Sequence, residues 1–399
     1  MPASRNGMPA RTDAPPVDGP SPAPIRVVAI QPRLELGEVE RNLRRVEDLV
    51  DQAVAEHAPQ LVCLPEAMTS PNLYHPRMRK VARPLIGEPL ALLRRLARRH
   101  DCLVGGGFIA VRGDDTRGTY ALCEPDGSVH LHDKDQPSFW ENNYYAPGRD
   151  DGVMATSLGP LGCANGWEWG RTRTIHRMAG RVHLVAGGMH FPSVPDWPWT
   201  ARWFRDRDDD MLTQYCRETP PRLARMLGVP VVHPSHVGDF RMATPLVPGL
   251  PWRSTCVGET QITDADGAIL GRLSYDDGEG WIGADVVMAP GRPRDPTPDT
   301  FWAASFPLSA HLVWYAGNAH GRAKYLAMKR LGLHGWRPGA DLPDHVPAEM
   351  LPPVEGDASS SAGATGGGTT RGRAAAAVGS DETARADDAE VPVGDAASD

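Results

Sequence analysis

A chain of 399 residues with a formal net charge of −8 is long enough for two domains, and its acidic balance shows no basic stripe interleaved with aromatics, which argues against nucleic acid as a partner. No apolar run reaches membrane-spanning length and the first residues lack the apolar core of a secretory signal, so no membrane is expected and the expected compartment is the cytoplasm. Six cysteines, Cys63, Cys102, Cys123, Cys163, Cys216 and Cys256, stand scattered without a CxxC pair or zinc spacing, and they read as buried thiols of a reducing compartment.

Residues 1–24, rich in Pro, Ala and polar side chains, predict a disordered tail. Ile25 to Ile30 is a nearly continuous apolar run, which suits a strand buried on both faces. Asn42 to His57 repeats apolar residues at three- and four-residue intervals and predicts a helix. Leu61 to Leu64 follows as a second buried strand, stopped by Pro65 and delivering Glu66 at its carboxyl end. Open α/β sheets bind ligands outside those ends; a glutamate opening a loop is otherwise a cap or a salt-bridge partner. After a helix from Pro89 to His100, with arginines on its outer face, Cys102 to Ile109 reads as a strand whose three glycines permit close backbone approach. Thr119 to Cys123 and Ser128 to His132 flank the turn Glu124 to Gly127 and form a hairpin. His130 and His132 share one strand face, but no third ligand of suitable spacing stands nearby, so no metal is expected.

The stretch His132 to Gly148, HDKDQPSFWENNYYAPG, holds Lys134 at a strand end. Pro137 blocks continuation of the ladder, and Phe139, Trp140, Tyr144 and Tyr145 crowd around Glu141. Two readings are open from these residues: a pocket shared by lysine and glutamate, or a loop whose charges pair with solvent. Val182 to Ala186 predicts a further strand, followed by Gly187 to His190 and a Pro- and Trp-rich loop, Phe191 to Trp199. Trp197, Trp199 and Trp203 fit a pocket wall or plain packing equally. Arg205 to Asp210 reads as a solvated acidic patch opening a helix from Met211. A helix from Pro220 to Leu227, a strand from Val229 to Val232, a hairpin from Cys256 to Leu270, a strand from Trp281 to Val287 and a helical extension from Phe301 to Leu331 complete the pattern. Strands alternating with helices, then hairpins, fit a layered α/β sandwich. From Glu355 on, Ala, Gly, Ser, Asp and Glu dominate, predicting a disordered tail.

Five segments in chain order, VVAIQPRL, LVCLPEAM, HDKDQP, Ala164 to Glu168 and VGETQITDADGAIL, resemble the nitrilase, or carbon–nitrogen hydrolase, superfamily over about Ile25 to Gly335. The resemblance implies a nitrilase-like αββα four-layer sandwich of mixed sheets with helices on the outer faces. It places that domain at 25–335, with an extension from about residue 300 and an extended linker and tail at 336–399. It further implies a Glu, Lys, Cys site without cofactor, in which Glu66 is the base, Lys134 stabilises the tetrahedral species and Glu141 orients lysine or substrate. Trp167, Met189 and His190 would line the pocket, and the ligand would be a small amide, nitrile or carboxylate. Such extensions pack across a dimer interface in the family, which implies a homodimer or larger homo-oligomer.

The nucleophile of such a site stands at a strand end before an aromatic and an acidic residue. Trp167-Glu168 supply that pair, and the position before them is Gly166. Cys163 lies three residues earlier, an odd offset that points it to the opposite strand face. Taking Cys163 as nucleophile keeps Gly159 four residues before it but leaves Ala164-Asn165 where the aromatic and acid belong. The Gly166 register is therefore preferred. Losing a nucleophile typically costs about a millionfold in rate. Three readings follow: a hydrolase using Cys163 or a water activated by Glu66, an inactive homologue that binds a small amide, nitrile or carboxylate or serves in assembly, or a changed residue in a working enzyme.

Overall fold

The computed structural model describes residues 23–193, 195, 197, 211–244, 247, 249–303 and 308–354. Trp199, Trp203, the Arg205 to Asp210 run and nearly all of both tails lie outside them. In chain order the first half comprises β1 (Ile25–Gln31), α1 (Val39–His57), β2 (Leu61–Cys63), β3 (Arg83–Pro84), α2 (Glu88–His100), β4 (Leu103–Arg112), β5 (Asp115–Cys123), β6 (Val129–Asp133), β7 (Val153–Thr156) and β8 (Gly159–Asn165). There follow α3 (Thr172–Met178), β9 (Leu184–Gly188), α4 (Met211–Leu227), β10 (Val231–His233), β11 (Val237–Ala243), β12 (Pro251–Thr263), β13 (Ile269–Ser274), β14 (Gly280–Val286), α5 (Leu308–Arg330) and β15 (His345–Val346).

The strands form two mixed sheets, one ordered β14-β1-β2-β4-β5-β6-β15 with β3 beside β4, the other β11-β12-β10-β9-β8-β7 with β13 beside β12. Each has a parallel centre, β1-β2-β4 in the first and β8-β9-β10 in the second. Side-chain alternation builds the layers. On β1, Val28 and Ile30 join α1 and α2 in one core, while Val27 and Ala29 face the other sheet. On β9, Leu184 and Ala186 face the first sheet and Val185 packs towards α3 and α4. Three apolar layers thus separate helix, sheet, sheet and helix, the αββα order expected from the sequence.

Two expectations change. The helices expected from Met211 and from Pro220 are one helix, α4, running through Pro220-Pro221. Pro220, Leu223, Ala224 and Leu227 are buried beneath it, and that packing offsets the backbone bonds the prolines cannot make. Residues 336–354, expected as a linker outside the domain, instead return to the first sheet. There β15 pairs with β6, Gly339 bridges Gly113, and Val346 and Leu351 are buried.

Candidate active site

Glu66 sits in the loop after β2, which runs on beside β4: Leu64 N–H donates to Gly105 O, Gly107 N–H to Pro65 O and Met68 N–H to Gly107 O, at 2.8–3.0 Å. A Cβ on Gly107 would fall on the Glu66 backbone carbonyl, so this glycine is what lets the loop lie flat on the strand. Lys134 is the first residue beyond β6; its N–H donates to Gly118 O, and its carbonyl accepts from Gly148 N–H, which closes the 134–148 loop on itself. Glu141 lies in a 3-10 turn, Phe139–Asn143, started by Ser138 in a capping box: Ser138 N–H donates to Glu141 Oε2 at 2.8 Å. Asn318 of α5 braces that turn, accepting from Phe139 N–H and from Asn142 Nδ2, and Gly317 and Gly321 allow the close approach.

These three segments converge. Lys134 Nζ donates to Glu66 Oε2 at 3.0 Å and to the two oxygens of Glu141 at 2.9 and 2.8 Å. Lys134 is 1 % exposed, Glu66 7 % and Glu141 6 %, which decides against the solvated-loop alternative. Burial favours the neutral amine, but Glu141 and Glu66 together outweigh it and hold the ammonium above its usual range. Burial likewise pushes the Glu66 carboxyl up, and Lys134 and His190 outweigh that and bring it below the ordinary carboxylate range. His190 Nε2 accepts from Asn72 N–H at 3.1 Å, so its Nδ1 is the donor to Glu66 Oε1, also at 3.1 Å.

Gly166 opens a second 3-10 turn, Gly166–Gly170, at the end of β8, with φ of +54°. A Cβ there would meet the Lys134 ammonium and stand 2.9 and 3.0 Å from the Glu66 carboxylate oxygens. The position before Trp167-Glu168 therefore faces the acid–lysine cluster. Cys163 does not. It lies in the core between the sheets, 1 % exposed, where burial, with Glu168 and Asp150 nearby, pushes its thiol far above the ordinary range.

Behind the cluster a buried ion network ties the strand ends together. Glu168 caps its turn by accepting from Asn165 N–H at 2.9 Å, and it also accepts from His132 Nε2 at 2.8 Å, Asp135 N–H at 3.0 Å and Arg177 at 3.2 Å. The other ring nitrogen of His132 bonds Asp150. Burial alone would keep His132 neutral, but Glu168 and Asp150 outweigh it and raise its pKa well above the usual value. His130 pairs with Glu124 at 2.9 Å. Both histidines are thus held by carboxylates as structural partners.

The cluster forms the polar end of a cavity of about 300 Å³. Trp140, Trp167, Phe191, Trp252 and Trp314 make most of its walls, with His190 and Asn72 near Glu66. Trp167 and His190 thus both line this cavity. Met189 does not: it is fully buried in the core between the second sheet and α3/α4. It shares the strand parity of Val185, whereas His190 shares that of Ala186, so the two neighbours point to opposite sides of the sheet. Trp197 packs against Trp252, ring centroids 5.8 Å apart. Asn72, Trp252 and Trp314 were not anticipated, since only the tertiary fold brings them to the cavity. Ser138 could have been, because Ser-x-x-Glu is a capping-box pattern.

The sequence profile of the carbon–nitrogen hydrolase family matches residues 25–204. Among solved structures, a carbon–nitrogen hydrolase from Helicobacter pylori G27 is 19 % identical, with 66 % of this chain and 89 % of that one covered at a TM-score of 0.55. A cysteine-to-alanine variant of the Nesterenkonia AN1 amidase is 16 % identical, with 67 % and 94 % covered at 0.52. The same variant in complex with butyramide is 17 % identical, with 67 % and 94 % covered at 0.51. No curated protein is similar to the chain. The solved structures share the chain's fold, an α/β sandwich of two mixed sheets. Over residues 25–204 the chain is similar to the carbon–nitrogen hydrolase family.

Proposed function

We propose that the chain uses the carbon–nitrogen hydrolase fold to bind a small amide or nitrile beside Glu66, Lys134 and Glu141, without forming a thioester. The observation that carries this reading is Gly166: the position facing the acid–lysine cluster has no side chain, and Cys163 is buried on the far side of β8. Hydrolysis through a thioester requires a thiolate to attack, a base to take its proton and a donor to hold the oxyanion. In this reading Glu66 and Lys134 would supply the last two. Binding does not need the thiolate, and an amidase variant with a cysteine replaced by alanine holds butyramide in the same fold. The charge balance narrows the ligand. Two carboxylates face one ammonium, so a neutral head, an amide that donates to Glu66 or Glu141 or a nitrile that accepts from Lys134, is favoured over a carboxylate, which would add a second uncompensated negative charge.

One observation favours a second reading, hydrolysis by water: Glu66 is kept as a carboxylate and oriented by His190. In that reading Glu66 takes a proton from water, the hydroxide oxygen bonds the carbonyl carbon and Lys134 donates to the oxyanion. The C–N bond then breaks as the leaving nitrogen takes the proton from Glu66. A panel of carboxamides and nitriles, followed by thermal shift and by ammonia release, tests both. Binding predicts a shift with at least one carboxamide, lost in Glu141→Gln, and no ammonia. Ammonia release that survives Cys163→Ala and disappears in Glu66→Gln would establish the water reaction instead, and no shift with any ligand refutes the binding reading.

A further inference from the structure

A second cavity, of about 680 Å³, shares no lining residue with the first. Asn143 and Tyr144, which end the turn that carries Glu141, form part of its wall, and the rest comes from the Tyr74 to Ala82 segment, Ile109, Ala243-Thr244 and the far end of α5 with residues 333–336. Its charges are one-sided. Arg79 and Lys324 line it with three imidazoles, His75, His320 and His334, and among its described lining residues none is acidic. Among the described residues Arg79 makes no ion pair. Lys324 Nζ donates to the Tyr74 hydroxyl at 2.9 Å and lies 4.8 Å over that ring, and among the described residues it makes no ion pair. In a chain carrying a net charge of −8 this is a local concentration of positive potential.

Polar groups of the cavity also lack partners. Thr244 is 7 % exposed, yet its Oγ1 makes no hydrogen bond, and Asn143 Oδ1 and His334 Nδ1 are buried without one as well. A buried hydroxyl is ordinarily satisfied by protein, water or ligand. The remaining walls are apolar: Met78, Ile109, Met328 and Leu333, with Trp336 lying nearly parallel to the Tyr325 ring at 5.8 Å. A concave, mainly apolar space with a few convergent polar groups is the usual form of a small-molecule site.

We infer that this second cavity binds a small amphipathic monocarboxylate, its head at Lys324, Arg79 and Thr244 and its aromatic or branched body against Met328, Tyr325 and Trp336. A single compact anion suits two cations set among apolar walls. A polyphosphate would need more donors than these. The inference stands apart from the reading of the Glu66 cavity, because it uses none of its residues.

Isothermal titration of the full-length protein with 4-phenylbutyrate, and with 4-phenylbutylamine as the matched cation, tests it. The carboxylate binds one equivalent, the amine at least tenfold more weakly, and Lys324→Gln with Arg79→Gln lowers the carboxylate affinity at least tenfold. Trp167→Leu, which alters the first cavity and touches no wall of the second, leaves it within twofold. Thr244→Val, which keeps both cations, weakens it by a smaller factor and guards against a folding defect in the charge variant. No heat with millimolar 4-phenylbutyrate, equal affinity for the amine, or loss of binding in Trp167→Leu would overturn the inference.

Discussion

Replacing Lys134 by methionine keeps the length and volume of the side chain and removes one charge from a buried cluster of three. Glu66 and Glu141 both lie within 3.0 Å of the lysine nitrogen, and both are at least nine-tenths buried. Removing one partner from a buried ion pair costs about 3–5 kcal/mol, because an uncompensated charge is left behind. In the parent, Glu66 is held below its unfolded value of about 4.3, so its share of stability is complete above that pH and is lost as pH falls through the lower folded value. Lys134 is held above its unfolded value of about 10.4, so its share is complete at every pH below that. Glu66 and Lys134 of the parent therefore contribute no slope between about pH 5 and 9. In Lys134→Met the two carboxylates share a site without a cation, and the folded state takes up a proton at a pH above the unfolded carboxyl value. Stability of the variant then falls as pH rises, and the gap to the parent widens from pH 5 to pH 8. Urea unfolding at both pH values measures it, with about 3–5 kcal/mol expected at pH 8 and a smaller loss at pH 5. Adding Glu66→Gln and Glu141→Gln removes the charges and recovers most of the difference at pH 8. A loss below about 1 kcal/mol at pH 8, or a gap that does not change with pH, would refute the reasoning.

Other outcomes follow from the same geometry. Gly166→Cys places a thiol beside the Lys134 ammonium, which yields because it is the end of a flexible side chain; intact mass spectrometry after brief iodoacetamide treatment at neutral pH gives one added carbamidomethyl group, and the parent, with six buried cysteines, gives none. Gly107→Ala drives a methyl group into the Glu66 carbonyl, so carboxamide thermal shifts disappear while the fold, read by circular dichroism, remains. The pKa of His132 is raised in the folded state, so its contribution is complete below about pH 6.5 and is lost as pH rises through the higher folded value. His132→Gln therefore removes a decline in parent stability on the alkaline side, which unfolding midpoints from pH 6.5 to 10 detect.

Much of the frame was legible because it depends on short-range pattern. The apolar runs at Ile25 to Ile30 and Leu61 to Leu64 have one physical use, a strand covered on both faces, and their ends place Glu66. The period of two separated Gly166 from Cys163, and the same parity would have separated His190 from Met189. What the sequence did not reveal depends on partners distant in the chain. The two residues of β15 have no pattern of their own, and only β6 gives them a register. Asn318 carries no mark that it would brace a turn nearly two hundred residues earlier. The second cavity is likewise assembled from five separate segments, none of which carries a signal alone.

The cluster stands assembled beside Gly166 because each member is held by its own local device. Glu66 depends on the bare Cα of Gly107, Lys134 on the ladder to Gly118 and the closing bond from Gly148, and Glu141 on its Ser138 cap. Position 166 is held from either side by the Asn165 and Glu168 capping box, which fixes the turn whatever residue opens it. A side chain at that position would adopt φ of +54°, a conformation costing about 1–2 kcal/mol for a residue with a Cβ and nothing for glycine. Glycine therefore avoids strain beside the cluster, and the ammonium of Lys134 occupies the space a Cβ would take. Restoring the sulfur has to move that ammonium and reintroduce the strain, so a gain of acyl chemistry in Gly166→Cys comes with a loss of stability, and a variant that gained one without losing the other would show that the turn is softer than its caps imply.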